Sequence, residues 1–227
     1  MEKTIIVIGS SKGIGAEITK HLSNSGNNVI GVSRSPSKNC RWIKADITST
    51  TDIEQLSHAL GNITVDALIF SAGIWEEKGF SPDYSFIETS PEETHRIMQV
   101  NVVAPIEITK CLIKNLSLSN NPKALYLGAM SGTENQASNQ VAYCSSKFGL
   151  RGAIQSLRTT FQPTQVGFTV INPGNVATEE VLSDIKQGIT KEQKLILISD
   201  IVQTIDWILS LSTNVEIGDV NLSQKIR

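Results

Sequence analysis

The amino-acid sequence predicts a doubly wound α/β fold of three layers, α/β/α, with a parallel sheet between two layers of helices. Short runs rich in Ile and Val alternate with longer segments of helical period along the whole chain, and the short runs are apolar on both faces. Strands of that kind must be covered on both sides, as a parallel sheet between helix layers is. With 227 residues, of which 40% are apolar and 19% charged, residues 1–227 are expected to form a single domain.

The predicted elements alternate in order from the first strand onward. Strands are predicted at 4–8, 28–32, 41–45, 65–70, 124–127, 167–171 and 216–222. Helices are predicted at 14–25, 51–60, 91–115, 143–161 and 200–211. Two segments, 74–90 and 175–199, follow neither period, and irregular excursions of this kind often carry ligand contacts.

Net charge and the lengths of the apolar runs argue against several classes of function. Twenty basic residues against 22 acidic ones give a net charge of −2, which supplies no field for holding nucleic acid or anionic lipid. The first apolar run has only four residues between polar ones, and no later run approaches the length of a membrane span. We therefore expect a cytoplasmic protein that binds neither nucleic acid nor membranes.

The cysteines and histidines do not form a metal-binding pattern. There are three of each, without a C-x-x-C pair and without an H-x-x-x-H or H-E-x-x-H grouping. No metal site is predicted, so chemistry here requires an organic cofactor or the side chains of Ser, Tyr, Lys and carboxylates. The residues concerned are Cys40, Cys111, Cys144, His21, His58 and His95.

A glycine-rich loop with the spacing G-x-x-x-G-x-G joins the first predicted strand to the first helix. Glycine lets the backbone turn sharply and approach a pyrophosphate, and the following helix directs its free N–H groups and positive dipole end at the phosphates. This position predicts a Rossmann-type dinucleotide site, the alternative being a tight turn that only packs the helix closely. The candidate cofactor residues are Gly9, Ser11, Lys12, Gly13, Ile14 and Gly15.

The end of the second predicted strand favours NADP(H) over NAD(H). An acidic residue there accepts from the adenosine 2′-hydroxyl in NAD-selective sites, but this strand ends in Val32, Ser33 and Arg34. Arg34 offers a planar set of donors to a 2′-phosphate, and Lys12 adds a second positive charge. The alternative is that both are solvated surface charges.

Tyr143 and Lys147 stand four residues apart in a predicted helix, and that spacing places both on one face. A tyrosine with an ordinary pKa near 10 is a poor acid or base at neutral pH, but a neighbouring ammonium lowers the pKa of the phenol. Tyr143 could then exchange a proton with a carbonyl or hydroxyl oxygen. Taken alone, the pair is common and is more typical of an unremarkable helix.

Taken together, the motifs resemble those of the compact, single-domain branch of the short-chain dehydrogenase/reductase family. They stand in the same order as in that family and extend over nearly the whole chain. The resemblance implies an NADPH-dependent reductase that transfers hydride between nicotinamide and a small carbonyl or alcohol substrate. The residues that carry the resemblance are the loop 9–15, Asp46, Ser71-Ala72-Gly73, Asn101, Tyr143 with Lys147, and Asn172-Pro173-Gly174-x-Val176-x-Thr178.

The resemblance also implies individual roles. Tyr143 is expected to donate or accept the proton, Lys147 to hold the nicotinamide ribose and lower the phenol pKa, and Asn101 to support a water relay. Asp46, with Ile47 beside it, would lie at the adenine, and Thr178 at the nicotinamide carboxamide. The remaining residues expected along the cofactor are Ser71, Ala72, Gly73, Pro173, Gly174 and Val176.

Two further expectations concern the substrate side and assembly. The segment 175–199 is expected to cover the substrate, and its Glu179 and Glu180 disfavour a small anionic substrate unless Lys186 or Lys191 faces inward. The helices at 91–115 and 143–161 are expected to form the interface of a homodimer or homotetramer. The segment Trp75-Glu76-Glu77 is predicted either as the opposite wall of the site or as an exposed loop.

The chain departs from the family pattern at two places. Ser71 stands where an asparagine is usual, a change we expect to be tolerated. The usual catalytic serine falls on Met130 or Ala129, depending on the alignment, and Ser131 is the nearest hydroxyl, one residue out of register. Ser131 can serve only if a bulge or an early strand end re-aims it. The alternative function is a catalytically weak NADP(H)-binding regulator or pathway scaffold.

Overall fold

A computed structural model describes residues 2–189 and 192–225, so Lys191 lies outside the described residues. Seven strands form one sheet in the order β3-β2-β1-β4-β5-β6-β7, and every neighbouring pair is parallel. This confirms the predicted fold class. The strands are β1 Thr4–Ile8, β2 Asn28–Ser33, β3 Arg41–Lys44, β4 Ala67–Phe70, β5 Lys123–Leu127, β6 Gly167–Pro173 and β7 Asp219–Leu222.

Helices connect the strands. A π-helical segment, Gln99–Val103, links α3 to α4, and single 3-10 turns lie at Phe86–Glu88 and Met130–Gly132. The α-helices are α1 Gly13–Asn24, α2 Thr50–Leu60, α3 Pro91–Met98, α4 Ala104–Leu116, α5 Val141–Thr160, α6 Glu179–Lys186 and α7 Ile198–Ser210. None of the helices in the described ranges combines the length and apolarity needed to cross a bilayer.

The sheet has a hydrophobic core on each face. In β1, Ile6 and Ile8 belong to one buried cluster, while Ile5 and Val7 belong to the other. All four side chains are fully buried, and each contributes roughly 1.5–3 kcal/mol relative to an exposed position. The two-sided burial explains why four successive positions of β1, Ile5–Ile8, are all apolar.

Element bounds differ from the sequence expectation in a few places. The predicted strand at 65–70 begins only at Ala67, because the amide of Val65 donates to the carbonyl of Asn115 instead of to a strand. The π-helical segment interrupts the helix predicted at 91–115. Within the region predicted to be irregular, α6 forms because the Thr178 hydroxyl accepts from the amide of Val181.

The strand order brings the irregular segments to one edge. From β1 the sheet extends to β2 on one side and to β4 on the other, and the connections after β1 and β4 diverge at their carboxyl ends. Such a switch point leaves a crevice in which open α/β sheets bind ligands. The glycine loop, residues 71–80, the turn at Met130–Gly132 and residues 174–178 all leave strands at this edge.

Candidate active site

Tyr143 and Lys147 lie in the first two turns of α5, with the Lys147 Nζ 5.6 Å from the centroid of the Tyr143 ring. Lys147 is only 5% exposed, and its Nζ donates to the carbonyl of Leu127 at 3.0 Å. Burial lowers the pKa of the Lys147 ammonium to about 8. The lysine is thus anchored where β5 ends, beneath the tyrosine.

The phenol of Tyr143 has a raised pKa. Burial is the main cause, followed by interactions with Cys144 and Glu76, whereas a side-chain hydrogen bond with Ser131 acts in the opposite direction. The sequence spacing predicted a lowered pKa. The shift is upward because the loss of hydration dominates, so Tyr143 is protonated at neutral pH.

Ser131 reaches Tyr143 because the strand ends early. Strand β5 stops at Leu127, and the 3-10 turn Met130–Gly132 redirects the chain so that the Ser131 side chain interacts with the Tyr143 phenol and acts to lower its pKa. The turn packs tightly on α5, and a Cβ at Gly132 would lie 2.6 Å from the Cβ of Lys147. Of the other two aligned positions, Ala129 is buried in the cavity wall and Met130 is half-buried.

Asn101 lies inside the π-helical segment and is 1% exposed. Its Oδ1 accepts from the Ile74 amide at 2.9 Å, and its Nδ2 donates to the Ile74 carbonyl at 2.7 Å and to Ser146 Oγ at 2.9 Å. Ser146 Oγ in turn donates to the Tyr143 carbonyl at 2.7 Å. Asn101 therefore ties the chain leaving β4 to the helix that carries Tyr143.

Glu76 binds the start of helix α5, a structural role that the sequence did not predict. It is 1% exposed, and its Oε1 accepts from the backbone amides of Ala142 at 2.9 Å and Tyr143 at 3.2 Å, at the N-terminus of α5. Its Oε2 is buried without a hydrogen-bond partner among the described residues. The run Trp75-Glu76-Glu77 shows neither helical nor strand periodicity, so the sequence did not predict that Glu76 is buried. A carboxylate at a helix N-terminus is nonetheless favourable, because it faces the positive end of the helix dipole.

A groove of about 620 Å³ runs along the edge of the sheet. Helix α1 begins here without a side-chain cap or an acidic residue in its first turn, so its backbone N–H groups are available to an anion. A Cβ at Gly13 would meet no atom within 4 Å, which leaves room for a phosphate. The predicted cofactor residues lining this groove are Gly9, Ser11, Lys12, Arg34, Asp46, Ile47, Ala72 and Gly73.

The glycine loop packs closely on the turn after β4. Gly9 has a φ of +84°, and a Cβ there would lie 2.7 Å from the backbone nitrogen of Ala72. Ser71 Oγ donates to the Ile8 carbonyl at 2.8 Å, so the serine binds the end of β1. Gly15 is buried beneath the loop and lines neither cavity. The loop therefore presents backbone groups to the groove.

Charged residues flank the groove near β2. Lys12 Nζ lies 3.7 Å from Glu180 Oε2 in an exposed ion pair. Asp46 Oδ1 accepts from the Thr48 amide at 2.9 Å and hydroxyl at 2.7 Å. Those bonds, with a smaller contribution from Arg34, lower the pKa of the Asp46 carboxyl. Arg34 itself is exposed and lines the same groove.

A smaller cavity of about 190 Å³ adjoins the groove, and Gly73 and Trp75 line both. It contains Tyr143 and Lys147, the rings of Trp75 and Phe80, and part of α6. Of the segment Trp75-Glu76-Glu77, only Trp75 lines this cavity, whereas Glu76 is buried beside the larger groove and Glu77 is exposed and paired with Arg96. The remaining predicted cofactor residues in its lining are Ile14, Ser71, Pro173, Gly174, Val176 and Thr178.

Comparison with known proteins agrees with this arrangement. The chain is 27% identical over 212 residues to a 3-oxoacyl-(acyl-carrier-protein) reductase of Haemophilus influenzae, covering 88% of this chain and 82% of that protein. A short chain dehydrogenase family protein from Francisella tularensis has the same fold, with a TM-score of 0.83, 23% identity and 98% of each chain covered.

A short chain dehydrogenase from Escherichia coli, solved in complex with NADPH, superposes with a TM-score of 0.81 at 23% identity, covering 97% of this chain and 95% of that one. Residues 3–187 match the family model of the short chain dehydrogenases. Members of this family are oxidoreductases that use nicotinamide cofactors. The order of its motifs, the sheet and the match over most of its length establish that this chain belongs to the short chain dehydrogenase family.

Proposed function

We propose that the protein is an NADPH-dependent reductase of small carbonyl compounds. The observation that carries the proposal is the group of Ser131, Tyr143 and Lys147 in and around a cavity that adjoins the nucleotide groove. When bound, the nicotinamide cofactor supplies the hydride that goes to the carbonyl carbon. The residues of the chain have to orient the carbonyl and supply the proton that its oxygen takes up.

Tyr143 is suited to give that proton. Its raised pKa keeps the phenol protonated at neutral pH, in the form required for reduction. Ser131 bonds the same hydroxyl and can donate to the substrate oxygen as negative charge develops on it. The products are an alcohol and the oxidised cofactor, so one hydride and one proton account for the reaction.

Lys147 and Asn101 position the tyrosine. The ammonium of Lys147, anchored on Leu127, would face the nicotinamide ribose, while Asn101 joins the segment after β4 to α5. The hypothesis of a weak regulator or scaffold rested on a missing catalytic serine. The interaction of Ser131 with the Tyr143 phenol weakens that ground and supports the proposal of an enzyme.

Replacement of Tyr143 by Phe tests the reaction. NADPH oxidation is followed by absorbance with a panel of small ketones and aldehydes, and Tyr143→Phe is expected to lower kcat by about 10²- to 10⁴-fold because the proton donor is lost. Tyr84→Phe is the matched control, since Tyr84 lies outside both cavities. Equal activity of Tyr143→Phe and the parent protein on every substrate would refute the assignment.

The proposed cofactor is NADP(H), not NAD(H). Arg34 and Lys12 line the groove next to Ser33 and Ser35, and no carboxylate follows β2 directly. The NADPH complex of the Escherichia coli neighbour supports the same choice. Arg34→Ala is expected to reduce the NADPH over NADH preference in kcat/KM by about 10- to 100-fold, the value of a charged hydrogen bond. Lys38→Ala, which removes an exposed cation farther along the same loop, should leave the preference unchanged.

We further propose a homodimer or homotetramer. Val141 and Phe148, seven residues apart on α5, are 45% and 39% exposed, and Val103 of the adjoining π-helical segment is 38% exposed. Apolar side chains grouped on one helix face favour burial against a second copy. Light scattering should give at least twice the chain mass, and Phe148→Asp should shift it towards the monomer.

A further inference from the structure

Three aromatic rings meet at the cavity beside Tyr143. The centroids of Trp75 and Phe80 are 5.5 Å apart, those of Phe80 and Tyr143 6.1 Å, and those of Trp75 and Tyr143 6.5 Å. Their planes meet at 72°, 76° and 83° respectively. The three rings are thus nearly perpendicular to one another, and all three line the cavity. We call Trp75, Phe80 and Tyr143 the aromatic corner.

The lining of the cavity also includes a carboxylate, that of Asp184. Asp184 of α6 is half-buried in its lining, and no ion pair among the described residues involves it. The other charged residue in the lining is Lys147, which is buried and donates to the Leu127 carbonyl. The lining therefore carries a negative charge at α6, from Asp184, and a positive charge beneath Tyr143, from Lys147.

Aromatic faces and a carboxylate favour the same kind of ligand group. The faces of Trp, Tyr and Phe rings carry negative electrostatic potential and attract alkylated ammonium groups, with Trp the strongest. Asp184 adds direct attraction between opposite charges. A carboxylate or phosphate on the ligand would be repelled by both, and a neutral group of equal shape would gain only its apolar contact.

We propose that the substrate is a small ketone, or the corresponding alcohol, that bears an alkylated ammonium group held by the aromatic corner and Asp184. This inference rests on the proposed reductase function. Tyr143 contributes its ring to the corner and its hydroxyl to the reaction, so the nitrogen and the carbonyl carbon must lie close together, separated by one or two carbons.

Two ketones of nearly equal shape separate charge from size. Acetonyl-trimethylammonium and neopentyl methyl ketone differ only in nitrogen replacing carbon, and acetoacetate provides an anionic comparison. With NADPH, kcat/KM for the cation is expected to exceed that for the neutral ketone by about tenfold or more, and acetoacetate should be the poorest substrate. A ratio of one or below would overturn the proposal.

Variants test which residues carry the preference. Asp184→Asn and Trp75→Leu should each reduce the ratio of cation to neutral ketone by at least about threefold. Asp83→Asn removes an equal charge from an exposed position on the loop after Trp75 and is expected to leave the ratio unchanged. The proposal fails if Asp184→Asn and Asp83→Asn give the same ratio.

Binding measurements distinguish this inference from the proposed function. The two compounds are titrated by calorimetry into protein saturated with NADP⁺, in which turnover is absent. Tighter binding of the cation without reduction of any ketone in the panel would support the ammonium site and refute the reductase. Reduction of ketones with no preference for the cation in binding or turnover would support the reductase and refute the ammonium site.

Discussion

The two sides of the substrate cavity are attached to the protein in different ways. On one side, residues 74–80, which we call the fixed wall, are bound through Glu76 to the start of α5, through Ile74 to Asn101, and through the Gly79 carbonyl to the Gln140 side chain. The other side is formed by the described part of the segment 175–199, which contains α6 and which we call the cover. None of the α6 residues is buried, and an isolated bridge between Val176 and Ile196 joins its two ends.

The difference in attachment indicates different roles for the fixed wall and the cover. The fixed wall shares hydrogen bonds with the helix of Tyr143, so we expect the aromatic ring of Trp75 and the proposed proton donor, Tyr143, to keep a constant geometry. The cover has few buried contacts, and segments of this kind open at low free-energy cost. We infer that the cover admits and releases ligands, whereas the fixed wall holds the reacting groups in place.

Among the variants that test this comparison, we expect Ser131→Ala to have the largest effect on activity. Ser131→Ala removes the hydrogen bond to Tyr143 and a donor to the substrate oxygen, and kcat is expected to fall by about 10²- to 10³-fold. Ser145→Ala, an exposed serine of α5, is the control in the same steady-state assay. An unchanged kcat in Ser131→Ala would show that the turn does not serve the reaction.

Loss of the Glu76 side chain should destabilise the junction between the wall and α5. Glu76→Ala leaves the amides of Ala142 and Tyr143 without their acceptor, at a cost of about 1–3 kcal/mol in the free energy of unfolding. Urea denaturation measures this change. Glu77→Ala loses only an exposed ion pair with Arg96 and should cost less than about 1 kcal/mol. Similar costs for the two variants would contradict the assignment of Glu76.

Glu76→Gln separates charge from capping. The amide oxygen can still accept from α5, but the negative charge that helps to raise the Tyr143 pKa is gone, so the pKa of the phenol should fall. Reduction requires the protonated phenol, and the alkaline limb of its pH profile should therefore move to lower pH. A profile that coincides with that of the parent protein would exclude the electrostatic role.

The cover should give the smallest effect on stability. Val181 lines the cavity from α6 and is half-exposed, so Val181→Ala is expected to change the free energy of unfolding by less than about 1 kcal/mol while raising KM a few-fold. Leu150→Ala in α5, where the side chain is 1% exposed, should cost about 2–5 kcal/mol by comparison. A loss of stability in Val181→Ala near that of Leu150→Ala would contradict a weakly attached cover.

The sheet was predictable because its central strands, such as β1 and β4, are apolar on both faces, a pattern that few arrangements other than a covered parallel sheet satisfy. The helical spacing predicted that Tyr143 and Lys147 lie on one face of a helix, whereas their proposed roles came from the resemblance to the family and not from the spacing. The contact of Ser131 was left open, because it depends on where β5 ends and on the tight packing of Gly132 against α5. The pKa of Tyr143 was predicted in the wrong direction, since a sequence shows neighbouring charges but not the loss of hydration.

The buried ammonium of Lys147 has a consequence for proton uptake. Its pKa is about 8 in the folded chain and 10.5 in the absence of burial, so between these values the folded protein holds fewer protons on this group than the unfolded chain does. The free energy of unfolding should therefore gain a contribution that grows as pH rises from about 8 towards 10.5. Tyr143, with a raised pKa, acts in the opposite sense only above its ordinary value of 10.0. Folding of this chain is thus coupled to proton release in mildly alkaline solution.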